Sequence, residues 1–244
     1  MSQLFRQRLA QRLAWQKAVN DPVREPRNRL PTLPLLRQWQ SRRLEAGFQD
    51  FLADPKKRPA AEFFLSDLYS DRDFSARDRD AAKLLPMMAR FLPDTLLHAA
   101  TGAIELAVLS HAFDLRLAEF LNQRRQPLAP IKLADYGAAY RSADHRRLRR
   151  HQVDLVVEVG HSLDAAVHKH GVFKLLKASR LPARAAGLSE LQQFLERGFT
   201  AFAALGGADA FLAEIAAREY RASERLFAGH PDPFGSDQPK PSSR

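Results

Sequence analysis

DTLLHAATGAIELAVLSHAFDLRLAEFL, residues 94–121, is the stretch that decides the fold. At roughly 100° per residue, Ile104, Leu106, Val108, Leu109, Phe113, Leu117, Phe120 and Leu121 spread around much of a helix circumference, which asks for cover from several neighbours. The segment is therefore expected to be the central helix of an all-α domain. Pro93 stands just ahead of it, where proline suits a first helical turn, and Gly102 inside it suits a close backbone approach.

Working outward toward the N-terminus, residues 1–20 read as an amphipathic helix with Phe5, Leu9 and Leu13 on one side. The proline-punctuated 21–33 reads as a linker that frees this helix, and 34–228 as a single helical-bundle-like core of seven to nine helices. Within that core, one helix is expected from Pro34 to about Leu52 and another from Pro59 through FFLSDLY, residues 63–69. Ser75 and Asp78 form a capping box that opens a helix at Ala76, and Pro86 interrupts that helix. Toward the C-terminus, helices are expected at 133–141, 145–170, 172–179, 189–206 and 208–227. Leu181-Pro182 closes the 172–179 helix, and Ser189 with Gln192 caps the next one. Residues 229–244 have the Pro, Gly and Ser content of a disordered tail, and no segment alternates as a strand does.

FFLSDLY followed by SDRDFSARD resembles the signature of a bacterial family of uncharacterised proteins known by an FFLEELY motif. The similarity runs on through GLSELQQFLERGF and GGADAFLAEIA near the C-terminus. Ser66 and Asp67 stand where that motif has two glutamates, so the acidic character survives at Asp67 alone. The resemblance implies a domain covering roughly the whole chain and supplies no catalytic residue.

Composition narrows the chemistry. The absence of cysteine removes disulfides, thiolate zinc sites, cysteine-held iron–sulfur clusters and cysteine nucleophiles. Phosphate-cradling glycine loops, nucleophile elbows and H-E-x-x-H zinc motifs have no match. No apolar run approaches a membrane span or a signal peptide, so a cytoplasmic location is expected. The net charge of +10 is concentrated in two blocks, with 13 Lys and Arg against 5 Asp and Glu over 1–58, and 11 against 5 over 131–186. Such blocks suit an anionic partner, whether nucleic acid, a phosphate-bearing ligand or a lipid surface, and equally suit plain solvated faces.

Two constellations stand out. Arg146, Arg147, Arg149 and Arg150 put four guanidinium forks on about one and a half helical turns, as phosphate gripping requires, although no aromatic residues interleave for base stacking. Glu158 and His161 form an E-x-x-H on one helix face, the spacing of carboxylate-bridged di-iron bundles. Asp154 lies one turn earlier, and the central helix offers His98 and Glu105. No second E-x-x-H completes that pattern, and the same stripe is what an amphipathic helix turns to solvent. The first reading is thus a basic, non-catalytic ligand- or partner-binding protein with no cofactor. Its rival is an iron- or manganese-dependent bundle enzyme.

Asp67 falls between Phe63 and Phe64 on the wheel and so points inward, with Arg72, Arg77 and the N–H groups opening the Ala76 helix as nearby donors. A structural role follows for Asp67, Ser75 and Asp78, tying one helix to the next. Asp67→Ala is expected to lower stability by about 1 to 3 kcal/mol in chemical denaturation, and Asp67→Asn by less, because a buried partner group is left unsatisfied. Both variants melting like the parent would remove the structural role.

Overall fold

The computed structural model describes residues 3–68, 94–124, 130–187 and 189–235. Ser75, Asp78 and Pro86 lie outside these, as does the side chain of Asp67. Among the described residues the chain is all-α, with eleven α-helices and no strand. In order they are α1 Gln3–Asn20, α2 Thr32–Gly47, α3 Gln49–Ala53, α4 Arg58–Phe63, α5 Asp94–Arg124, α6 Leu133–Ser142, α7 Arg146–His168, α8 Val172–Ala178, α9 Arg180–Ala185, α10 Ser189–Leu205 and α11 Asp209–Ala228. No single described helix is long and apolar enough to cross a membrane.

The count exceeds seven to nine because the helix expected over 34–52 is divided and a further short helix, α9, follows α8. At Phe48 the backbone leaves helical geometry after Gly47, so α2 and α3 replace one helix over 34–52. That break lets Phe48 and Phe51 both enter the core, their rings edge to face at 5.1 Å. Pro182 does not close a helix but sits in the first turn of α9, where its missing N–H removes no intrahelical bond. Gln192 also departs from expectation: its amide donates to the Leu176 carbonyl at 2.6 Å and so ties α10 to α8.

α5 is the centre, packed along α7, α1, α2 and α6. Its buried Ile104, Val108, Leu109, Phe113, Leu115, Leu117, Ala118 and Leu121 face those neighbours. α7 packs on its other side against α10 and α11, and Gly160 allows the close approach there: a Cβ would clash with the Leu212 side chain. Two large apolar clusters and two small ones result among the described residues. Of the large two, the first gathers Phe48, Phe51, Phe63, Phe64, Phe202 and Phe211, and the other Leu33, Leu36, Leu115, Tyr136, Tyr140 and Phe227.

Phe63 and Phe64 of FFLSDLY belong to the first cluster, and both are buried. From Phe64 to Leu68 the helix widens into a π turn, which changes the angle per residue. The constant-angle projection that turns Asp67 inward therefore does not extend past Phe64.

Residues 21–33 do not behave as a free linker. They contain a 3-10 turn, Pro26–Arg29, and bury Thr32 and Leu33, with the Thr32 hydroxyl donating to the Ala118 carbonyl at 2.9 Å. Upstream, Leu9 of α1 is buried against Ile104 and Val108. Nor is the whole of 229–244 a tail. Gly229, in the left-handed region at φ 71°, ends α11, and the chain turns back to bury Pro233. The Phe234 ring lies beside Trp39 and under the Arg43 guanidinium, 4.3 Å from it.

The strap over α5 is fastened by His111, a buried histidine. Arg37 Nη2 lies 2.7 Å from its Nδ1, and Asn28 Oδ1 lies 2.8 Å from its Nε2. Arginine only donates, so Nδ1 accepts and Nε2 carries the proton, given to Asn28; the Asn28 amide in turn donates to the Val19 carbonyl at 2.9 Å. Burial first and the Arg37 charge second hold His111 below its ordinary pKa, against Asp114 and Glu25, which pull it up. The unfolded chain then takes this proton before the native one does. The His111 contribution to stability is complete above about pH 6.5 and fades as the pH falls from there toward its lower native pKa, with a slope of at most about 1.4 kcal/mol per pH unit. Imidazole ¹H–¹⁵N spectra recorded near pH 6.5 should show His111 neutral with the proton on Nε2; a ring protonated on both nitrogens there would contradict the strap geometry.

Candidate functional site

α6 hands over to α7 through a tight turn in which Asp144 takes a left-handed conformation, φ 34°, tolerable for aspartate. The four arginines that follow do not share a face. Arg146, Arg147 and Arg150 are exposed, while Arg149 is buried, 8% exposed. The inward stripe of α7 is Arg149, Val153, Val156 and Gly160, at i, i+4, i+7 and i+11. Its apolar neighbour Leu148 is 45% exposed.

Arg149 is a core residue rather than an anion ligand, which corrects its place in the basic run. Its guanidinium carbon lies 3.7 Å from the Phe113 ring centroid and 4.4 Å from that of Tyr140. Its Nη1 donates to Gln152 Oε1 at 3.2 Å, and the Gln152 amide donates to Ser110 Oγ at 2.7 Å. One side chain thereby joins α5, α6 and α7, and burial pushes the Tyr140 phenol up from its ordinary pKa. The guanidinium is buried by stacking on aromatic faces, which suits Arg better than Lys.

The exposed arginines form a face of their own. Arg146 lies over the Phe227 ring at 4.3 Å and Arg150 over Tyr220 at 5.0 Å, so both lean toward α11, and Arg147 has no partner among the described residues. Arg116 joins them from α5 by touching the His145 ring at the start of α7. The nearest carboxylate to this group is Asp144, 4.0 Å from Arg146 and largely exposed. Other arginines are closely paired: Arg12 with Glu105 at 2.8 Å, Arg27 with Glu25 at 2.7 Å, Arg43 with both oxygens of Glu219, and Arg218 with Asp50. Arg116 has no signal in the basic run because it is distant in the chain and stands on an apolar helix.

The acidic and histidine residues of α7 are distributed among separate partners. Asp154 accepts a hydrogen bond from the Tyr220 hydroxyl, whose pKa burial and that carboxylate push up to about 12. Glu158 faces His98 Nδ1 at 3.4 Å, while His161 faces Asp209 at 3.3 Å. Glu105 is held between Arg12 and His151, the latter at 3.3 Å. Among the described residues no three His, Asp or Glu side chains come together as a metal-ligand group. Two open depressions of about 450 and 420 Å³ mark the surface, the first lined by Asn28 and Arg37 above His111 and the second by Phe63, Ser66, Glu196 and Thr200.

A family model, Domain of unknown function (DUF8198), matches residues 20–233, and the chain belongs to that family. No curated protein and no solved structure matches the chain.

Arg149→Gln is expected to lower stability by about 2 kcal/mol, since it removes a stacked, hydrogen-bonded cation from a closed interior. Arg147→Gln is expected to stay within about 0.5 kcal/mol of the parent, as surface substitutions do. Urea unfolding of the two variants reads the difference directly, and equal midpoints would refute the division of the run into core and surface.

Proposed function

We propose that this member of the DUF8198 family is a non-catalytic binding protein that takes a phosphate-bearing anionic partner on the face made by Arg116, Arg146, Arg147 and Arg150. One observation carries the reading: these guanidinium groups gather at one end of α7 with no carboxylate closer than 4.0 Å among the described residues, whereas Arg12, Arg43 and Arg218 each hold a carboxylate directly. Positive charge at a helix N-terminus opposes the helix dipole, so an anion there relieves two unfavourable terms at once. Arginine presents a planar fork that matches phosphate oxygens in pairs. The rings of Phe227 and Tyr220 hold Arg146 and Arg150 in place, which lowers the ordering cost of binding.

Retention on heparin and binding of a fluorescent duplex oligonucleotide, each followed from low to moderate salt, test this. Binding should weaken steeply with salt. The Arg146→Gln, Arg147→Gln, Arg150→Gln triple variant should flatten the log–log slope by roughly two to three, about one released counterion for each phosphate that the variant no longer neutralises. Arg149 is left intact so that the fold is preserved. No retention by the parent at low salt, or an unchanged slope in the variant, would sink the reading.

A further inference from the structure

The chain from Ala165 to Ser189 contains no Asp or Glu, yet it carries Lys169, Lys174, Lys177, Arg180 and Arg184 together with His168 and His170. It forms the end of α7 and the two short helices α8 and α9, neither of which has a buried residue. Both helices also present large apolar side chains to solvent, with Leu175 69% and Leu181 78% exposed. Leucines this exposed, set among cations on consecutive helices, are costly in water unless something covers them.

The two helices are nevertheless held in place from their inner side. Gln192 donates to the Leu176 carbonyl at 2.6 Å, the Ser179 hydroxyl donates to Gln192 Oε1 at 3.0 Å, and Arg180 Nε donates to Glu196 Oε1 at 2.6 Å. Lys169, Lys174, Lys177 and Arg184 form no ion pair among the described residues, and Lys177 lies over the Phe173 ring at 4.4 Å. The outward face is thus apolar at Leu175 and Leu181 and cationic around them, on a pinned support.

We infer that α8 and α9 form a docking surface for an anionic lipid membrane, with Leu175 and Leu181 entering the interface and Lys169, Lys174, Lys177 and Arg184 meeting the headgroups. A lipid surface matches both halves of the pattern: leucine side chains dip below the headgroups while long lysine stems keep their charges among them. A protein interface core is depleted in lysine, and a nucleic-acid backbone has no use for protruding leucine. This surface is separate from the arginine face, since the 23 residues of α7 span roughly 35 Å between them.

Flotation of the full chain with vesicles tests it. The parent is expected to float with phosphatidylcholine vesicles containing phosphatidylserine, to stay behind with phosphatidylcholine alone, and to be released by salt. Leu175→Ser with Leu181→Ser is expected to lower the partition coefficient at least about tenfold, and so is Lys174→Glu with Lys177→Glu. All four positions are exposed, so far-UV circular dichroism and melting temperature should not change. The Arg146→Gln, Arg147→Gln, Arg150→Gln protein should float like the parent, which separates this surface from the arginine face. The inference is overturned if the parent does not float with phosphatidylserine vesicles at low salt, if the leucine variant floats equally well, or if the leucine variant loses oligonucleotide rather than vesicle binding.

Discussion

Helix α5 is apolar over too much of its circumference to lie on a surface. Burying Val108, Phe113, Leu115, Leu117 and Leu121 requires neighbours on more than one side, and α1, α2, α6 and α7 supply them. Most of the architecture follows from this demand. α7 serves as the second axis, covering α5 with one face and offering the other to α10 and α11. The approach between α7 and α11 is close enough that a Cβ at position 160 would clash with the Leu212 side chain. The strap over 21–33 and the returning Pro233 and Phe234 then close gaps that the helices leave.

Arginine and aromatic residues recur as partners throughout. Arg149 is enclosed by Phe113 and Tyr140, Arg43 lies under Glu219 and against Phe234, and Arg218 covers Phe51 while pairing with Asp50. A planar guanidinium can present its face to a ring and its edge to a carboxylate at the same time, so one side chain satisfies both packing and charge. This accounts for how a strongly basic chain sets several of its cations against its apolar clusters. It also makes the unneutralised groups informative: Arg116, Arg146, Arg147 and Arg150 at one end of α7, and the lysines of α8 and α9 beyond the other, are where charge has no internal use.

Position in the chain and position on the surface are related only through the register of each helix. For α7 the buried stripe passes over Leu148 and opens on Arg149. The spacing from 149 to 153 to 156 to 160 is present in the sequence, but it starts on an arginine and ends on a glycine, two residue types that hydrophobic periodicity passes over. The Glu158 and His161 pair shows the same limit. Their shared face is real, yet His98 engages one and Asp209 the other, because even so short a stripe meets two different helices.

The all-α class, the long central helix and the positions of α6, α7, α10 and α11 were legible in the sequence alone, because helical periodicity, prolines at first turns and glycines at ends act locally. A family of unknown function with a domain spanning most of the chain was expected too, and the family model covers residues 20–233. Tertiary structure alone decided the break at Phe48, the π turn after Phe63 and the docking of residues 229–235. It also decided which arginines are surface and which is core. Each of these depends on what a distant helix offers: a gap that takes two phenylalanines, a ring pair that takes a guanidinium, an arginine and a tryptophan that take Phe234. Local sequence carries no record of such partners, since they arrive only when the chain has closed on itself.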